Sequence, residues 1–306
     1  MKNSATRAWI LVLIAVVCWC EARGQNGRGE GRVRAVTIPV TVKTKTEMAM
    51  LPPLVVREDG ELQQTLSVRG AAQSPLQLAV LVQDDVVSSI GNDIQTLADF
   101  IRRLPSGSRV MVGYLTAGTL QVRQRFTTDL ERAARALRVP IGAATAAPFN
   151  PYVQVIEALR RFDGLPTGRR AIIMISDGLD LSRGLDAAAP TQSIDLERAI
   201  REAQRRAVAV YTIYAPTFGG TGLGGLRLVS YGQGSLNRLA EETGGQSFFQ
   251  GTGAPVSIAP FLREIGASLQ RQLAVTYLST HPNRGFHRIE IRAEGLELRY
   301  PPGYTR

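Results

Sequence analysis

Four short apolar runs limit what this chain can fold into. Leu78–Val82, Val110–Leu115, Ala171–Ile175 and Val208–Tyr214 are rich in β-branched and aliphatic residues and show little polar alternation. Such runs are strands buried on both faces, as in a parallel sheet covered by helices. Between them apolar residues recur at helical spacing. Ile94, Leu97, Ile101 and Leu104 precede a Pro105-Ser106-Gly107 stop, and Thr128 or Asp129 caps a helix through Leu137. Tyr152, Val155, Leu159 and Phe162 mark the next helix, and Asp195–Arg206 carries Glu197–Arg201 and Glu202–Arg206 pairs four apart. Ser235–Glu242 ends at Gly244-Gly245, Ser247–Gln250 is a last short strand, and Phe261, Leu262, Ile265 and Leu269 line the final helix. Alternating strands and helices imply right-handed crossovers, hence an α/β fold. Ala117-Gly118 turns one strand directly into Leu120–Phe126, which predicts an antiparallel edge. The expected core is therefore a doubly wound, mostly parallel six-stranded sheet with helices on both faces.

The two ends read differently. Residues 33–42 alternate as a strand, Glu58-Asp59-Gly60 is a turn, and Leu62–Val68 resumes the strand pattern. After Gln272 come Leu273–Leu278, Phe286–Ile291 and Leu296–Tyr300. The predicted organisation is an N-terminal β segment over 25–75, the α/β domain over 76–272, and a C-terminal β tail over 273–306. The tail pairs with the N-terminal segment into a small β-sandwich.

Residues 1–24 read as a removable signal. Lys2 and Arg7 precede an apolar run from Ala8 to Cys20, which is shorter than the about 20 residues a membrane helix needs. Ala22-Arg23-Gly24 offers small residues for cleavage before Gln25; a retained or lipidated anchor is the alternative. Both cysteines, Cys18 and Cys20, leave with that segment, so an exported chain of this kind is held by core packing without disulfides. Export implies a secreted or periplasmic location with no integral membrane span once the signal is removed, which suits a bacterial envelope.

The net charge is +10, from 36 basic and 26 acidic groups, and only Lys2, Lys43 and Lys45 are lysines. Removal of residues 1–24 lowers it to +8. The remaining excess is scattered arginine, and aromatics make up 6% of the chain, so no stacking platform for nucleic acid is in sight.

Ligands of open parallel sheets bind beyond the C-terminal strand ends. Two of those ends carry Asp84-Asp85-Val86-Val87-Ser88-Ser89 and Ser176-Asp177-Gly178-Leu179-Asp180, with the loop Gly142-Ala143-Ala144-Thr145 between them. Carboxylates and hydroxyls converging from three loops suit a hard cation such as Mg²⁺. On these residues the chain resembles the von Willebrand factor type A (VWA) family, in particular the VWFA-related domain of the acidobacterial type. Glu58-Asp59-Gly60, Leu239–Gly245, Tyr277 and Gly303-Tyr304 extend the resemblance over nearly the whole chain after the signal. It implies a metal-ion-dependent adhesion site for Mg²⁺ or Mn²⁺, with Asp84, Ser88, Thr145 and Asp177 as ligands. The first turn departs from the family's Asp-x-Ser-x-Ser pattern, because counting from Asp84 places Val86 where a hydroxyl ligand belongs. Counting from Asp85 places Val87 there. Two readings stay open: a weak divalent-ion site, or caps and turns over an empty one. Asp180 reads as solvent-exposed turn chemistry.

Other motifs carry less. Gly220-x-Gly222-x-x-Gly225 has the letters of a dinucleotide fingerprint without a strand before it, and reads as a flexible loop. His281 and His287 are the only histidines, with no nucleophile elbow and no evident carboxylate motif beside them. The function expected is a secreted, non-enzymatic protein–protein interaction module with a degenerate metal site and an unidentified envelope partner. It would bind through the loops Asp84–Ser89, Gly142–Asn150 and Asp177–Arg183. A metal-independent structural envelope protein and an envelope hydrolase are the alternatives.

Overall fold

The computed structural model describes residues 33–43, 52–86, 89–217 and 223–306. The signal reading, both cysteines, Val87 and Ser88 lie outside them. In chain order the elements are β1 (Arg34–Val42), β2 (Val55–Glu58), β3 (Glu61–Arg69), β4 (Gln77–Gln83), α1 (Ser89–Asn92), α2 (Ile94–Arg102), β5 (Arg109–Leu115) and β6 (Leu120–Thr127). There follow α3 (Leu130–Arg135), α4 (Pro151–Arg160), β7 (Arg170–Ser176), α5 (Ile194–Arg205), β8 (Val208–Tyr214), α6 (Leu223–Glu242), β9 (Ser247–Phe248) and α7 (Ala259–Gln270). The last strands are β10 (Gln272–Ser279), β11 (Phe286–Arg292), β12 (Leu298–Arg299) and β13 (Gly303–Thr305).

The middle of the chain forms a six-stranded sheet in the order β6-β5-β4-β7-β8-β9. Counted within this layer, the order is 3-2-1-4-5-6. All its pairings are parallel except β5–β6, the expected hairpin at the edge. Strand alternation divides the apolar side chains between two cores. Leu78, Val80 and Val82 face one with α2, α3 and α7, while Ala79 and Leu81 face the other with α4, α5 and α6. The helices start where capping residues supply acceptors to free amides. Asp129 accepts from the Arg132 amide, Asn150 from those of Tyr152 and Val153, and Ser193 from that of Leu196. α6 is longer than the periodicity predicts, because its first half is glycine-rich and carries a weak helical signal.

The terminal segments join into one antiparallel sheet of seven strands, β12-β1-β10-β3-β2-β11-β13. The expected β module is thus a single sheet curled over its own core of Val36, Ile38, Val40, Val56, Val275, Tyr277, Ile289 and Ile291. Its join to the α/β layer is pinned by Arg169, which is 2% exposed. The Arg169 guanidinium donates to the carbonyls of Ser74 (3.1 Å), Gln272 (2.8 Å) and Leu269, on both chain crossings between the two parts. No carboxylate is among these partners, and burial lowers its pKa.

Candidate functional site

The strand order reverses between β4 and β7, which run parallel in register from Gln77↔Arg170 to Val82↔Ile175. Crossovers leave this point toward opposite faces, which opens a crevice beyond the strand ends. A cavity of about 180 Å³ occupies it. Its polar wall is Gln83 at the end of β4, Asp85 just after it, Asp177 after β7 and Thr217 after β8. Phe149 and Leu181 form its apolar rim, and their loops are joined by the Leu181 amide donating to the Phe149 carbonyl at 2.7 Å.

The Asp177-Gly178 turn is held by backbone proximity to α6. Gly178 has φ +71°, and a Cβ there would lie 2.5 Å from the Gly232 carbonyl oxygen. A Cβ on Gly232 would lie 2.0 Å from the Asp177 carbonyl oxygen. The helix and the turn approach this closely only because both positions are glycine. Tyr152 adds a hydroxyl bond to the Gly178 carbonyl at 2.6 Å.

Asp177 accepts from the Leu179 amide at 3.0 Å and the Thr217 hydroxyl at 3.1 Å. Burial pushes its pKa up to about 6, and the nearby Asp85 charge adds to the rise against those hydrogen bonds. Asp85 is raised by its own burial, with the Asp84 charge adding to it, although Gln83 donates to its carboxylate at 2.9 Å. The Ser176 hydroxyl fixes the other end of the Gln83 amide. Two acids thus share one buried site, and among the described residues no arginine or lysine lines it.

Of the three expected metal ligands among the described residues, Asp177 lines the cavity, and Asp84 and Thr145 do not. Asp84 is 1% exposed, and its two oxygens accept from the Arg138 guanidinium at 2.6 and 2.7 Å, with the Ile141 amide at 3.0 Å. Arg138 lies over the Tyr114 ring, 4.1 Å from its centroid. Thr145 is exposed on a short 3₁₀ turn, Ala144–Ala146, and does not line the cavity. Ser88 lies outside the described residues. Val86 enters the α/β core rather than a metal shell, and it bridges to Thr217. The residues present therefore do not fit a Mg²⁺ or Mn²⁺ ion bound through Asp84. Its carboxylate already has a cation, and the side chain two positions on is turned into the hydrophobic interior.

Asp180 differs from the sequence expectation in burial. It is 5% exposed and accepts from Ser182 and Ser193, which organises the Leu181 loop. The glycine-rich segment is only partly a loop, since Gly225 belongs to α6, while Gly220 and Gly222 lie outside the described residues. Thr217 and Arg138 were not legible as site residues in the sequence, because each reaches the site across a long stretch of chain.

A second cluster of titratable groups lies in the β module. His287 Nδ1 is 2.8 Å from Asp59 Oδ2 and 3.5 Å from Glu58 Oε1, and His281 Nδ1 is 3.9 Å from Glu58 Oε2. The histidines thus do have carboxylate neighbours, supplied from more than two hundred residues earlier. Glu58, Asp59 and His281 each offer a ligand atom within 4.8 Å of the others, a set that suits a metal ion.

No protein-family model matches the chain, and no curated protein does. Among solved structures, a von Willebrand factor type A protein from Catenulispora acidiphila is similar over 88% of this chain and 72% of its own, at 11% identity and a TM-score of 0.46. An aerotolerance-related membrane protein from Bacteroides fragilis is similar over 63% of this chain and 98% of its own, at 12% identity and a TM-score of 0.43. BatB from Bacteroides thetaiotaomicron is similar over 63% and 97%, at 11% identity and a TM-score of 0.40. At such identities a likeness concerns the fold alone. The chain's own strand order, 3-2-1-4-5-6 with its third strand antiparallel at the edge, is the arrangement that the sequence's resemblance to VWA domains implies for the α/β layer.

Proposed function

We propose that the chain is an exported, non-enzymatic protein-interaction module that binds its partner at the strand-end cavity without a bridging metal ion. The observation that carries this reading is the site's composition. Asp85 and Asp177 are buried together with no arginine or lysine facing them among the described residues, beneath a rim that exposes Phe149 and Leu181. A partner presenting a lysine or arginine side chain flanked by apolar groups complements such a site, because its charge offsets the repulsion between the two acids. Further exposed apolar residues, Val139, Ile141 and Leu185, belong to the loops flanking the cavity, and aliphatic and aromatic patches of this kind mark contact surfaces. The metal-bridged alternative is disfavoured by the Asp84–Arg138 pair and by the burial of Val86. An envelope location rests on the composition of residues 1–24. Among the described residues, no helix is long and apolar enough to cross a membrane.

Capture from the native envelope tests the reading, using the full chain beside Phe149→Ser and Asp177→Asn variants. A specific partner is expected to be retained by the unaltered chain, lost from both variants, and indifferent to the presence of millimolar Mg²⁺. Equal capture by the variants, or capture only with Mg²⁺, would overturn it.

A further inference from the structure

We propose that the β module holds a divalent transition-metal ion of the Zn²⁺ class between Glu58, Asp59, His281 and His287. This site lies apart from the strand-end cavity and does not rest on the function proposed for it.

The argument starts from a carboxylate in a place made for an aliphatic side chain. Along β2 the inward positions are Val56 and Glu58, both 0% exposed. A fully buried carboxylate is costly without compensating charge. The Tyr304 hydroxyl donates to Glu58 Oε1 at 2.8 Å, but Oε2 accepts no hydrogen bond. His281 Nδ1, which also has no hydrogen-bond partner, lies 3.9 Å from it. Two buried atoms with lone pairs to offer therefore face each other at 3.9 Å, too far apart for a hydrogen bond and suited to sharing a cation.

The neighbouring groups are already oriented. Asp59 sits at the tip of the β2–β3 hairpin with φ +51°, followed by Gly60 at +88°, a tight turn that the Asp-Gly pair favours. Its Oδ1 accepts from the Arg288 amide at 2.8 Å, which leaves Oδ2 directed at His287. His287 Nε2 lies 2.9 Å from the Asn283 carbonyl oxygen. A nitrogen beside a carbonyl must carry a proton, so Nε2 keeps its hydrogen, and Nδ1, which donates to Asp59, is the nitrogen whose proton a metal ion would displace. Metal-ligating histidines are commonly held in this way, with one nitrogen donating to a backbone carbonyl and the other on the ion.

The donors decide the class of ion. Two imidazoles and two carboxylates suit Zn²⁺ and its neighbours, whereas Mg²⁺ and Ca²⁺ prefer all-oxygen shells. Tetrahedral Zn²⁺ places adjacent ligand atoms about 3.3 Å apart. His287 lies 2.8 Å from Asp59 and 3.5 Å from Glu58, His281 lies 3.9 Å from Glu58, and Glu58, Asp59 and His281 each offer an atom within 4.8 Å of the others, so modest side-chain adjustment would close the shell. The ion would tie the early hairpin to the last strands, as a disulfide would elsewhere, in a chain whose described residues include no cysteine.

Calorimetry of the chelator-stripped full chain with Zn²⁺ tests the site. One equivalent of Zn²⁺ is expected to bind and raise the melting temperature, with no response to millimolar Mg²⁺. His281→Ala and His287→Ala should each weaken binding at least about 10-fold, and the double variant should abolish it. His281 is partly exposed, so its variant folds even if Glu58→Gln does not. Co²⁺ substitution supplies a second readout, since intense visible bands report tetrahedral nitrogen and oxygen ligation and should vanish with His281→Ala. Asp177→Asn should leave Zn²⁺ affinity unchanged. No Zn²⁺ uptake, uptake that survives the double histidine variant, or equal binding of Mg²⁺ would overturn the proposal.

Discussion

Asp84 and Arg138 form a two-pronged ion pair, at 2.6 and 2.7 Å, at the position where a VWA-type metal site would begin. The carboxylate is almost wholly enclosed and the guanidinium about a quarter exposed. Replacing Arg138 with leucine strands a buried charge, which should cost about 3 to 5 kcal/mol. Asp84→Asn, which removes the charge itself, should cost less. Urea denaturation of the two variants gives the comparison, and an Asp84→Asn loss as large as that of Arg138→Leu would contradict it.

Val86→Ser separates the metal reading from the core reading. A serine there completes the spacing of a metal-ligating turn, but it places a hydroxyl among Val82, Ile90 and Tyr114 in the hydrophobic interior. The expected result is a stability loss of about 1 to 3 kcal/mol with no Mg²⁺ binding by calorimetry. Measurable Mg²⁺ affinity in this variant would restore the metal site.

Asp177 should make the protein less stable as pH rises. Its carboxyl titrates near 6 in the folded chain and near 3.8 when unfolded, so the folded state holds the proton more tightly. Below about pH 4 both states are protonated and the group has no effect. Between pH 4 and 6 stability falls, and above 6 the penalty is fully present, on the order of 3 kcal/mol. The facing groups act in the same sense: Asp85 is also raised, and Tyr152 and Tyr214 stay neutral throughout this range. Asp177→Asn should therefore be the more stable protein at pH 8 and should match the parent at pH 4. Melting curves across that range check the sign.

Arg169 should act as the fastener between the two sheets. Arg169→Met leaves the carbonyls of Ser74, Leu269 and Gln272 short of a donor at a buried seam. The expected cost is about 3 kcal/mol or more, with a lysine substitution recovering part of it. Calorimetric melting that loses its single transition in the methionine variant is the diagnostic outcome.

Much of the architecture was legible because periodicity reports burial. The uninterrupted apolar runs became β4, β5, β7 and β8, and Ala117-Gly118 became the hairpin that places β6 on the edge. The middle of α6 was hidden because Gly232 serves close approach to the Asp177 turn there, which local propensity does not record. At the site, Asp177 was readable from its place after a strand. The role of Asp84 was not, since a carboxylate looks the same whether its cation is a metal or an arginine 54 residues later. The surroundings of the histidines were hidden for a similar reason, because Glu58 and Asp59 approach them only when the chain's two ends share a sheet.

The pairing of β1 with β10 has a mechanical consequence. Arg34 lies opposite Ser279 and Thr41 opposite Gln272, so the strand entered first and the strand leaving the α/β layer run side by side in opposite directions. A pull on the chain before Arg34, resisted by the α/β layer at Gln272, acts at opposite ends of the two strands. The load then falls in shear across all the rungs of the ladder at once instead of unzipping them one by one. A molecule tethered by its leading segment and tugged through its binding face would bear tension along its strongest direction.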